Sequence, residues 1–181
     1  MKWNRFTLLE AGGVLFCGLA APLLFMAYRW SGGAVWAALL ASVNHSAWEL
    51  TKLLLVPFAL WAVILFLADR PPVKRYTVAQ AAGLTASAAG MLLFCHVLSC
   101  IMGDCTPAAA LLTVFVFSAA GHWLAVKIYQ SKRRLVGWFT VALFLLILLV
   151  VMVLSFTVNP PQIRLFLDPV TNTYGIPQIN T

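Results

Sequence analysis

The chain has 181 residues, 62% of them hydrophobic and only 9% charged, with a mean hydropathy of +0.93. An average soluble domain carries about a quarter charged residues, so this composition excludes a soluble fold and points to the membrane class. The formal charge of +7 lies mostly in short loops between apolar runs, where the positive-inside rule explains it, and no nucleic-acid partner is expected.

Apolar runs near the roughly 20 residues needed to cross a bilayer predict five spans. The first covers about residues 6–28; it has no clear small-residue cleavage site, so it reads as an anchor and not a signal peptide. Trp30-Ser31-Gly32-Gly33 breaks the helix, and the stretch from Ala34 to Val43 is too short to span, which predicts an interfacial or re-entrant helix. The second span covers about residues 48–68, with a kink expected at Pro57 because proline frees the carbonyl one turn earlier. The third, about residues 77–102, carries Ala79, Ala82, Gly83, Ala86, Ser87 and Gly90 at separations of three and four, the spacing that lets helix backbones approach closely in lipid. It should be central. The fourth covers about residues 108–129, and the fifth, about residues 135–158, is bulky all round and should be peripheral. The expected fold is all-α: a five-helix transmembrane bundle over residues 1–158 and a turn-rich extracytoplasmic tail over residues 159–181.

One side of this arrangement receives Lys2, Arg5, Arg70, Lys74, Arg75, Lys127, Lys132, Arg133 and Arg134, the other only Arg29, Lys52 and Arg164. The first side should be cytoplasmic, with the N-terminus inside and the C-terminus outside.

Ionisable groups in or beside spans are costly, so each is a candidate for function. The densest group is Asn44-His45-Ser46-Ala47-Trp48-Glu49-Leu50-Thr51-Lys52 at the outer entrance of the second span; in a continuous helix His45, Glu49 and Lys52 would share a face. The structural alternative is a plain Glu49–Lys52 ion pair with Trp48 anchoring the interface. Glu10 reads as a solvated residue at the membrane edge. His96 and His122 fall at different depths and should not share a site. Cys95, His96, Cys100, Asp104 and Cys105 include metal-ligand types, but their spacing is not diagnostic, and no metal or cofactor is assigned. A Cys100–Cys105 disulfide and free thiols both suit an oxidising outer face.

The tail Asp168-Pro169-Val170-Thr171-Asn172-Thr173-Tyr174-Gly175-Ile176-Pro177 is turn chemistry throughout, and reads as a lid from which Asp168 or Tyr174 would reach the Glu49 group.

Trp30-Ser31-Gly32, the Asn44…Ser46…Trp48-Glu49…Lys52 signature, Pro57 and the Asp168-Pro169…Thr171…Thr173-Tyr174-Gly175 tail together resemble an uncharacterised family of short bacterial multi-spanning membrane proteins, a domain of unknown function. The family pattern has an acidic residue after the Asn and a His after the Glu, where this chain has His45 and Leu50. The resemblance implies a bacterial inner-membrane location and supports the spans. It implies no activity.

Three functions fit these residues. The first is binding or permeation of a small polar solute or lipid headgroup in an outward-facing vestibule formed by Asn44, His45, Glu49, Lys52 and His96 and capped by Asp168 and Tyr174 of the tail. Membrane lipids would be partners, and conduction through so few helices would need a homo-oligomer. The others are a non-catalytic membrane subunit or assembly factor, and an intramembrane enzyme on a lipid-linked substrate with His45 or Glu49 as base and Lys52 stabilising an anion.

Overall fold

The computed structural model describes residues 5–176; Lys2 and the end of the tail from Pro177 lie outside the described residues. Five helices are long and apolar enough to cross a membrane, and the protein is membrane-embedded. In chain order the helices are α1 Arg5–Trp30, the short α2 Val35–Leu40, α3 Ala47–Asp69, α4 Val73–Met102, α5 Pro107–Tyr129 and α6 Phe139–Val158, the last preceded by a 3-10 turn at Val136–Trp138.

The helix boundaries follow local chemistry. Gly32 and Gly33, at φ of 66° and 81°, end α1 in a left-handed turn that Ser31 closes by donating its hydroxyl to the carbonyl of Tyr28. The stretch that follows forms only one and a half turns of helix, Ala37 and Ala38 facing the protein while Val35 and Trp36 face outward. Thr106 caps α5 by accepting the amide of Ala109, and Pro107 occupies the first turn, where a missing N–H costs nothing. α4 begins at Val73, about one turn earlier than the hydropathy suggests. Pro72 sits at its cap, so Lys74 and Arg75 lie in the first helical turn and not in a loop. α3 continues through Pro57 as one unbroken helix.

Small residues decide the packing centre. α4 lies against α3, α5 and α6, and the α4–α5 contact is the closest because glycine faces glycine. A Cβ built on Gly83 would stand 2.5 Å from the carbonyl oxygen of Gly121, and one on Gly121 would stand 2.9 Å from that of Gly83. Ser87 beside them returns its hydroxyl to the Gly83 carbonyl, so no polar group is left loose in the contact. α6 is the opposite case: only Ala142 and Thr157 are buried along it, a strip including Leu146, Leu149 and Val153 packs half-buried on the core, and the other side is exposed.

Polar contacts fix which helix ends lie together. Arg5 pairs with Asp69 at 3.1 Å, and Arg75 donates to the carbonyl of Tyr129, so the basic ends of α1, α3, α4 and α5 meet. The start of α3 and the tail form the opposite end. There Phe166 packs on Trp48 and Phe156, and Asn44 donates its side-chain amide to the carbonyl of Gly175 at 2.9 Å.

The glycine contact predicts a sharp asymmetry between helices. Gly83→Ala should lower stability by about 1–3 kcal/mol, because its methyl group meets rigid backbone. Leu143→Phe on α6 should change it little. Thermal unfolding of both variants in detergent tests this; equal tolerance would remove α4 from the centre.

Candidate functional site

Ser46-Ala47-Trp48-Glu49 has the spacing of a capping box, in which the Glu side chain would turn back onto the Ser amide. Only half of that motif forms. Ser46 accepts the amide of Glu49 at 3.3 Å, but its own amide is taken by Asn44 Oδ1 at 2.9 Å. The Glu49 carboxylate is thereby released to turn inward. It accepts the amide of Val43 at 3.0 Å and meets Lys52 Nζ at 2.6 Å.

Lys52 is fully enclosed, and Glu49 is 3% exposed. The ammonium donates to Glu49 Oε2, to the carbonyl of Ala38 at 2.8 Å and to Thr157 Oγ1 at 3.0 Å, which uses all three of its protons. Thr157 passes its own proton to the carbonyl of Val153. The pair therefore joins α3, α2 and α6, and leaves the ammonium no donor for a ligand. The larger cavities are lined by other residues.

The remaining residues expected at this vestibule are distributed differently. Because α3 starts at Ala47, His45 precedes the helix and does not share its face; its ring stacks on Phe25 of α1 at 5.7 Å. Asn44 is buried and spends its side chain on Ser46 and Gly175. Asp168 is 4% exposed, but its carboxylate closes its own turn, accepting the amide of Val170 at 3.1 Å and the hydroxyl of Thr171 at 2.7 Å. Tyr174 is partly exposed and pairs with Leu167 across the turn. Neither Asp168 nor Tyr174 reaches Glu49; the tail touches this region through Asn44 and Phe166 instead.

His96 lines a cavity of about 230 Å³ between the end of α4 and the folded tail, together with Ser99, Gly103, Arg164, Pro169 and Asn172. Its Nε2 lies 3.8 Å from Cys100 Sγ. Cys105 turns away from Cys100 and bonds Cys95, and that hydrogen bond, followed by burial, holds the Cys105 thiol well above its ordinary range. All four cysteines are free thiols, and no cluster of three metal-ligating side chains occurs among the described residues.

A second buried polar cluster was not legible as a site in the sequence. Glu10 is not a solvated edge residue: it is 1% exposed, and its carboxylate meets His122 Nδ1 at 2.5 Å on one oxygen and Gln80 Nε2 on the other. The His122 ring stacks on Phe58 at 4.0 Å, with Cys17 Sγ 3.9 Å from its other nitrogen. Gly13 makes room for it, since a Cβ there would stand 2.5 Å from the imidazole. Four helices meet here: α1 brings Glu10 and Cys17, α3 Phe58, α4 Gln80 and α5 His122. The usable signal was three strongly polar residues, Glu10, Gln80 and His122, in the same half of three spans. His96 lies at the other end of the bundle, so the two histidines are separated as expected.

The chain belongs to the family of unknown function DUF6512, whose model matches residues 2–176. No curated protein and no solved structure matches it. Removing one member of a buried ion pair strands the other, at a cost of about 3–5 kcal/mol. Lys52→Met should therefore destabilise the fold by that amount, and the double variant Glu49→Gln/Lys52→Met should regain most of it. Unfolding of the single and double variants in detergent measures the coupling; additive losses would mean that the pair is not the lock of this end.

Proposed function

We propose that this membrane protein holds a polar headgroup in the pocket between its folded tail and the outer end of α4. The observation that carries this reading is convergence: Arg164, brought by the tail, and His96, brought by α4, line one cavity, with Ser99 and Asn172 adding neutral hydrogen-bonding groups. Arginine presents a planar fork of donors that matches phosphate or carboxylate oxygens, so the pocket suits an anionic group. Asp104 neighbours Gly103 but does not line the cavity.

Ile101 and Met102 are exposed beside the pocket, 77% and 71%, which opens it to the bilayer and favours a lipid headgroup over a free solute. Holding is favoured over conducting. Leu50, Leu53, Met91 and Val114 form a packed apolar core between this end and the basic end, and the buried polar side chains beside it, Thr51, Ser87 and Thr113, donate to carbonyls of their own helices. The pocket keeps His96 from the vestibule expected around Glu49 and replaces its other members.

The loop charges support an orientation in which the basic end faces the cytoplasm of a bacterial inner membrane and the headgroup pocket faces outward. A C-terminal phosphatase fusion should then be active, and an inactive fusion would place the pocket on the cytoplasmic leaflet.

Lipid retention tests the pocket. Native mass spectrometry of the protein from phosphatidylglycerol-containing membranes should show a retained anionic lipid, and Arg164→Gln should weaken its retention by about tenfold, the worth of some 1.4 kcal/mol. His96→Gln should weaken it less, and Leu143→Phe not at all. Unchanged retention in Arg164→Gln would reject the pocket as the lipid site.

A further inference from the structure

Glu10 and His122 stand at the end of the bundle opposite the headgroup pocket and play no part in it. Glu10 lies about 8 Å along α1 from its first residue and His122 about 10 Å from the last residue of α5, both within the membrane segment. An isolated carboxylate buried at such a position carries a desolvation cost of several kcal/mol. A neighbouring imidazole relieves that cost by holding a proton against it.

Few other groups compete for that proton. From α1 the site is faced by Thr7 and Cys17, from α4 by Gln80 and Tyr76, and from α3 by the apolar rings of Phe58 and Trp61. Tyr76 gives its hydroxyl to the carbonyl of Ala62, and Trp61 gives its ring N–H to the carbonyl of Leu9. Of the cations at this end, Arg5 and Arg75 are engaged by Asp69 and by the Tyr129 carbonyl, and the Lys127 ammonium lies over the Trp123 ring at 5.3 Å.

Two further observations separate this cluster from a static buried pair such as Glu49–Lys52. A groove of about 150 Å³ runs between α1 and α5, and both Glu10 and His122 line it, with Thr7, Ala119 and Trp123 along its walls. Neither Glu49 nor Lys52 lines this groove or the headgroup pocket. In addition, the side-chain carbonyl of Gln80 is buried without a hydrogen-bond partner while its amide group donates to Glu10. An orphaned acceptor beside a carboxylate is what a protonated carboxyl requires: if Glu10 takes up a proton, rotation of the Gln80 amide lets that carbonyl accept the new O–H.

We propose that Glu10 and His122, bridged by Gln80, form an intramembrane proton-binding site loaded through the α1–α5 groove from the basic end of the bundle. The bond formed is an O–H on Glu10, the proton coming from water at that end, while His122 keeps its own ring proton. Loading removes the negative charge to which the His122 ring N–H donates, and so weakens the contact that draws α1 to α5. Proton occupancy is thereby coupled to the packing of these two helices. The site stands independently of the headgroup pocket.

The chain contains three histidines, His45, His96 and His122, so nitrogen-15 histidine labelling gives a resolved readout by NMR of protein in phosphatidylcholine nanodiscs. The His122 ring signal should respond to pH as Glu10 takes up its proton, and the amplitude of that response should fall at least tenfold in Glu10→Gln. Gln80→Met leaves both titrating groups in place and should give a smaller change of the same sign, which keeps the test open if Glu10→Gln does not fold. Ala119→Phe fills the groove without touching the pair; it should slow proton exchange at His122 at least tenfold at unaltered affinity. A His122 signal that does not respond to pH, or responds identically in all three variants, would overturn the site. Exchange at the wild-type rate in Ala119→Phe would overturn the route.

Discussion

The Lys52 ammonium is the point on which the tail-side half of the structure depends. It is a full positive charge with no access to solvent, and its three protons end on three separate segments: Glu49 of its own helix, the Ala38 carbonyl of α2 and the Thr157 hydroxyl of α6. Losing any of these acceptors leaves part of a charge uncompensated in a medium that solvates it poorly. This requirement explains why a helix as short as α2 keeps a defined place. It also explains why α6, which is otherwise apolar nearly all round, is held in one rotation against the bundle.

From that anchor the tail follows. With α6 set, its last residues deliver Phe156 and then Phe166 onto Trp48, and the turn closed by Asp168 carries Gly175 to Asn44. Asn172 and Gly175 both adopt positive φ, which lets the segment fold back tightly on itself. The polar cavity holding His96 and Arg164 exists because the tail takes this path. Glu49 and Lys52 thereby build the scaffold under a neighbouring cavity.

The two ends of the bundle use buried charge in different ways. At the tail end, each Lys52 donor has an acceptor, and the geometry has one arrangement. At the basic end, Glu10 and His122 meet beside an unpaired amide carbonyl and a groove that both of them line. Between them lie Gly83, Gly121 and Ser87, where α4 and α5 approach backbone to backbone. Lipid tails are as apolar as the helix surfaces, so hydrophobicity alone does not choose among helix rotations. Close packing and a few polar contacts make that choice.

Much of this was decided locally and is readable in the chain. The five spans, the break at Gly32-Gly33, the central place of the small-residue helix and the peripheral place of the Leu- and Val-rich one all depend on neighbours within a turn or two. The sequence also singles out Glu49 and Lys52 as partners, since they are one helical turn apart. It does not reveal that His45 lies before the helix start, because that depends on Asn44 occupying the Ser46 amide. Nor does it reveal Glu10 with His122, Lys52 with Thr157 or Arg164 with His96, whose members are far apart in the chain. Each of those contacts depends on how a helix is rotated about its axis. In a chain whose helices are apolar on nearly every face, no periodicity records that rotation, and only the packed bundle sets it.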